Sequence, residues 1–135
     1  MQWRPTRKFP YSAAFSVELT STLIKGYLTV DDLYKNYFEA MPCYLTVQDR
    51  SLRIIDANEK FQKEFGEIDQ GFCYQIYKHR SEKCEVCPVE RTFRDGESHH
   101  SQEKVTNIHG KDVWVIVYTT PIRDDQGNIT AVMEM

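Results

Sequence analysis

The stretch VWVIVYTTPIRDDQGNITAVMEM, residues 113–135, decides the fold. Val113, Val115 and Val117 alternate with Trp114, Ile116 and Tyr118, a period of two that places the two sets on opposite faces of a strand. Both sets are apolar, so the spacing predicts a strand covered on both sides. RDDQGN interrupts it as a turn with Gly127, and ITAVMEM supplies a returning strand. The chain thus closes on an antiparallel hairpin.

Working back from there, HSQEKVTN from residue 100 forms an earlier strand, joined to 113–118 by the turn His109-Gly110-Lys111. Upstream, CYLTVQDRSLRIIDAN (residues 43–58) reads as two more strands. Tyr44, Leu45 and Val47 precede the polar turn Asp49-Arg50-Ser51, and Leu52, Ile54 and Ile55 follow it. Asp56 and Glu59 form a D-x-x-E cap for a helix carrying Phe61 and Phe65 on one face and stopped by Gly66. Residues 71–94 form short helical turns, with Pro88 at a first helical position and Gly96 past the end of CPVERTFRD. In front of the strands, TVDDLYKNYFEAMP carries a capping box at Thr29 and Asp32. Leu33, Tyr34, Tyr37 and Phe38 make one apolar face, and Pro42 is the stop, which gives a helix over about residues 30–40. Residues 1–28 stand apart as an N-terminal helical extension with no firm pattern of its own; the domain proper occupies 29–135.

This order is α+β: a five-stranded antiparallel sheet covered on one face by short helices. FEAMPCYLTVQDRSLRIIDANEKFQKEFG and VWVIVYTTPIRDDQGNITAVMEM, with Asn58 in DANEKF, resemble the PAS (sensory box) family. In that family an asparagine at the Asn58 position caps a helix, and a hairpin like TPIRDDQGNITAV closes the sheet. The resemblance spans residues 32–135. It implies a sensory or interaction module of the kind built into two-component histidine kinases, cyclic-nucleotide enzymes and transcriptional regulators. PAS domains bind haem, flavin, metabolites, metals or nothing.

Composition excludes several other classes. Seventeen basic against twenty acidic residues give a net charge of −3, which offers no electrostatic case for nucleic acid. No apolar run approaches the roughly 20 residues that span a bilayer, and the N-terminus lacks a secretory pattern, so the expected location is the cytoplasm. No nucleophile elbow, phosphate loop or H-E-x-x-H is present, and the expectation is a non-enzyme. The helix at 30–40, or the sheet, is the expected homodimer surface.

The chemistry-bearing segment is CYQIYKHRSEKCEVCPVERTF, residues 73–93. Cys73, Cys84 and Cys87 are spaced C-x10-C-x2-C, with Cys43 as a less secure fourth member. A C-x-x-C turn lets two thiolates hold one metal. Cys87 just before Pro88 lies at a helix N-terminus, which would lower its thiol pKa. Three readings stand together: a zinc or iron–sulfur site, a reversible disulfide, or inert buried thiols. His79, His99 and His100 are alternative ligands. Phe61, Phe65, Tyr74, Tyr77 and Trp114 either line a ligand pocket or fill the core. Covalent haem is disfavoured because no C-x-x-C-H is present. A flavin adduct is disfavoured because GFCYQIYKHR lacks the N-C-R-F-L-Q context of light-sensing PAS domains. The functions that follow are a redox- or metal-sensing module, a ligand-free interaction and dimerisation module, or a small-molecule receptor using the central pocket.

Overall fold

A computed structural model describes residues 29–69 and 71–135. The 1–28 extension lies outside these. Helix α1 (Val30–Ala40) starts on a capping box. The Thr29 hydroxyl accepts from the Asp32 amide at 3.0 Å, and the Asp32 carboxylate accepts from the Thr29 amide at 3.0 Å. Strands β1 (Thr46–Gln48) and β2 (Ile54–Ala57) follow as a hairpin. The Asp49 carboxylate folds its turn by accepting from the Ser51 and Arg53 amides at 2.8 and 3.1 Å.

Asn58, and not Asp56, caps α2 (Glu59–Phe65). Its Oδ1 accepts from the Phe61 amide at 3.0 Å, while Asp56 Oδ1 turns back to the Ala57 amide next to it. Asn58 is fully buried because it does more than cap. The same Oδ1 accepts from the Leu45 amide at 3.0 Å, and Nδ2 donates to the Cys43 carbonyl at 2.9 Å. Gly66, at φ 98°, ends α2 in a conformation that a side chain rarely adopts. Short α3 (Cys73–Ile76) and α4 (Pro88–Asp95) come next, with Pro88 in the first turn of α4.

Strands β3 (His99–Thr106), β4 (Asp112–Arg123) and β5 (Ile129–Glu134) complete the sheet. The order is β2-β1-β5-β4-β3, and every pairing is antiparallel. The last strand therefore sits in the middle, between the first hairpin and the long second one. Helices α2 to α4 and the inward side chains of the strands share one core around Ile54, Phe61, Val89, Phe93 and Val132. A buried hydroxyl pair, Thr92 to Thr119 at 2.7 Å, pins α4 to β4.

The sheet's other face corrects one expectation. Strand β4 is covered on one side only: Val113, Val115 and Val117 point inward, whereas Trp114, Ile116 and Tyr118 are exposed, Trp114 by 68%. The apolar stripe of α1 is likewise bare, with Tyr34 68% and Tyr37 59% exposed and no residue of the helix buried. A groove of about 500 Å³ separates α1 from Val47 and Met133 on the outer face.

Candidate functional site

Two cavities lie between the sheet and its helical cover. The larger, about 50 Å³, is where a PAS ligand pocket is expected, and Phe61, Phe65 and Tyr77 line it. Their rings fill most of the space themselves. Phe61 and Phe65 have centroids 4.9 Å apart, Phe61 and Tyr77 5.8 Å, and Tyr44 meets Phe65 edge-on at 5.1 Å. Drug-sized and cofactor pockets run to about 300–1,000 Å³, well above this volume. Trp114 and Tyr74 do not line it. Trp114 points to the opposite face, and Tyr74 stacks on Phe72 at 5.2 Å. Residue spacing alone could not tell which face of β4 the helices would cover.

The second cavity, about 20 Å³, is lined by Cys73, Cys84 and Cys87 together with Tyr77, Lys78 and Glu134. That volume suits one water molecule or one ion. Each cysteine arrives by a different route. Cys73 is the first residue of α3, Cys84 lies in the loop after it, and Cys87 is the N-cap of α4. All three are buried and none is in a disulfide. Cys43 takes no part: it precedes β1 and its carbonyl is bound to Asn58. The three histidines are elsewhere too. His99 Nε2 sits 2.9 Å from the Asp95 carboxylate, His100 stacks on Tyr118 on the outer face, and His79 is exposed at φ 51° in the loop after α3. His99 and His100 do point to opposite faces, but the inward one is captured by α4 rather than reaching the thiols.

Burial raises the pKa of Cys73 and Cys87. The nearby charge of Glu134 and of the other thiols works in the same direction. The amides of Val89 and Glu90 at the start of α4 oppose this for Cys87 but do not overcome it. The expected lowering by the α4 N-terminus is thus reversed, because removing a thiolate from water outweighs one helix end. Cys73 and Cys87 therefore rest as protonated thiols, which are slow nucleophiles. Among the described residues, no three His, Cys, Asp or Glu side chains already stand around one metal position. An ion would have to draw the thiols inward by side-chain rotation.

Glu134 is the residue that the pattern ITAVMEM concealed. The register sets it between Thr46 of β1 and Thr119 of β4. Its side chain borders both cavities, and its Oε1 accepts from the Tyr77 hydroxyl at 2.6 Å. Burial, the largest influence, raises its pKa; the bond from Tyr77 and the charge of Lys78 oppose this. Burial also opposes the Lys78 ammonium, but the Glu103 carboxylate paired with it and the Cys84 sulfur beside it keep its pKa above the ordinary value. Gln48, fully buried on β1, donates weakly to Thr46 at 3.4 Å and to the Tyr77 oxygen at 3.5 Å, and its Oε1 has no partner. The signal available in advance was a single acid in an otherwise apolar strand.

No curated protein matches the sequence. Among solved structures, the chain superposes on Vibrio cholerae VqmA with a TM-score of 0.61 at 17% identity, over 79% of this chain and 51% of that one. It spans about half the length of those VqmA chains. A PAS domain of an HTR-like protein from Haloarcula marismortui gives 0.61 at 14% identity, over 77% and 87%. An RNA-binding light-oxygen-voltage receptor gives 0.65 at 16%, over 90% and 35%. At such identities the likeness concerns the fold. The PAS fold family itself matches residues 38–135, and with the five-stranded sheet, the Asn58 cap and the closing hairpin in place, the chain belongs to the PAS family.

Proposed function

We propose that this PAS domain is a non-catalytic sensory module whose input is chemistry at Cys73, Cys84 and Cys87, and that the input is capture of a soft metal ion. The observation that carries this is the convergence of three buried cysteines from separate segments on one ion-sized cavity. Thiolates are strong ligands for zinc and iron. A cation would supply the charge that lets these thiols give up their protons in a buried site. Binding would draw the α3–α4 loop toward β5.

A second reading is favoured by the absence, among the described residues, of a ready-made metal arrangement and by the C-x-x-C spacing. In it, Cys84 and Cys87 close a disulfide when an oxidant removes two electrons and two protons. Such a bond leaves no buried charge, although the raised pKa of Cys87 slows its formation. Anaerobic purification followed by metal analysis, zinc titration and thiol counting separates the two. Stoichiometric zinc that is lost in Cys84→Ser supports the first. Loss of two thiols with mild oxidant and no metal uptake supports the second. Four unreactive thiols without metal would remove both and leave a ligand-free interaction module.

We also propose self-association through the bare faces of α1 and β4. A row of Trp114, Ile116 and Tyr118 open to water resembles interface composition more than ordinary surface. With a net charge of −3, the domain itself is proposed to have no nucleic-acid contact. No helix among the described residues is long and apolar enough to cross a membrane. Cytoplasmic placement remains part of the proposal, since buried free thiols suit a reducing compartment.

A further inference from the structure

We infer that Glu134 is the fourth donor of a divalent soft-metal site formed with Cys73, Cys84 and Cys87. The inference rests on the metal reading of the cluster and goes beyond it by naming the missing ligand.

Three thiols alone leave a tetrahedral ion one position short. None of the other side chains that spacing put forward lines the cavity: Cys43 lies before β1, His79 is exposed after α3, His99 is held by Asp95, and His100 faces outward. Glu134 borders the same 20 Å³ space as all three sulfurs. Carboxylate oxygen is a normal zinc donor alongside thiolates.

Three further features fit a ligand rather than a bystander. First, the carboxyl is fixed from behind. The Tyr77 hydroxyl donates to Oε1 at 2.6 Å, the type of support that orients ligating carboxylates. Second, its backbone is held on both sides, because β5 is the middle strand and Glu134 pairs with Thr46 and Thr119. Third, positive charge stands next to it. Lys78 borders the cavity and is paired with Glu103, so an anionic ligand set has a cation at its edge. Taking a carboxylate out of water is costly unless a cation takes up its charge. A metal ion converts that cost into coordination.

The site also has a mechanical meaning. Cys73, Cys84 and Cys87 belong to the helical cover and Glu134 to the sheet. An ion held by all four adds a tie between the two layers, whereas one held by the thiols alone adds none.

Cobalt(II) is the probe, titrated anaerobically into the full chain and into Glu134→Gln and Cys84→Ser. Thiolate-to-cobalt charge transfer reports the sulfurs, and the visible ligand-field bands report the whole coordination shell. Zinc competition gives the affinity. The expected result is a tetrahedral spectrum for the wild type and loss of most thiolate bands in Cys84→Ser. Glu134→Gln should keep its thiolate bands but show altered ligand-field bands and affinity weaker by roughly tenfold or more. Circular dichroism and thiol counts confirm that each variant is folded. Wild-type spectrum and affinity retained by Glu134→Gln would overturn the inference while leaving the thiol site intact. No cobalt binding by folded wild type would overturn the metal reading itself, and the inference with it.

Discussion

Replacing Asn58 by alanine should cost about 3–7 kcal/mol. The side chain is fully buried and makes three bonds of 3.0 Å or less: to the Phe61 amide, the Leu45 amide and the Cys43 carbonyl. Removing the cap costs about 1 kcal/mol. Stranding a buried donor or acceptor costs about 1–3 kcal/mol each, and here one of each is left. Domains of this size have about 5–15 kcal/mol in all, so the variant should be folded but fragile. Urea unfolding is the assay. With a slope near 1.5–2 kcal/mol per molar, the midpoint should fall by about 2–4 M with the slope unchanged. Asn58→Asp keeps the acceptor, gains from the α2 dipole and loses the Nδ2 donations to the Cys43 and Phe38 carbonyls. It should lose about 1–2 kcal/mol and so lie between wild type and alanine. An alanine variant within about 1 kcal/mol of wild type would refute the reasoning, since it would mean that water or a backbone shift satisfies the abandoned groups.

Three other outcomes are expected. Glu134 holds its proton more tightly in the folded chain than at its ordinary value of 4.5. Its contribution to stability is therefore full below that value and declines as pH rises through the folded-state pKa; the stability of Glu134→Gln relative to wild type should climb over that window in thermal melts and stay flat below it. Gly96 and Gly127 both sit at positive φ, 75° and 85°, but a Cβ on Gly96 would come within 2.6 Å of the Arg123 guanidinium, whereas Gly127 faces open space. Both alanine variants should lose about 1 kcal/mol to strain, and Gly96→Ala somewhat more because Arg123 must release the Gly96 carbonyl it binds at 3.0 Å. Trp114→Lys should leave the unfolding midpoint within about 0.5 kcal/mol and shift sedimentation toward monomer; unchanged sedimentation of an associating wild type would rule out that face.

Much of the architecture could be read in advance because it is fixed by local chemistry. Thr29 and Asp32, Pro88, Gly66 and Gly96 each need one backbone conformation, and they mark the ends of α1, α2 and α4. Alternation in β4 assigned its two faces, but it could not say which one the helices would cover, and Trp114 was misplaced for that reason. Asp56 resembled a cap by spacing, whereas Asn58 could also serve Leu45 and Cys43 across the hairpin, a demand that exists only once the chain has folded. The thiol cluster was half legible. C-x-x-C and the short link back to Cys73 brought the sulfurs together, but Glu134 lies 47 residues beyond Cys87 in the sequence and reaches them only through the strand order. The expected low pKa at Cys87 failed because helix position can be read from a sequence and depth of burial cannot.

The bonds between α1 and the described remainder of the chain lie in its last turn. Glu39 accepts from the Glu59 amide at 2.7 Å, and the Phe38 carbonyl receives Asn58 Nδ2 at 3.5 Å. An eleven-residue helix is about 16 Å long, so α1 is a lever with its fulcrum on the N-terminus of α2. A turn of about 10° at that fulcrum sweeps the far end by about 3 Å, across the groove that α1 shares with Val47 and Met133. The residue forming the fulcrum, Asn58, also holds the entrance to β1, which pairs with β5 and so with the strand that carries Glu134.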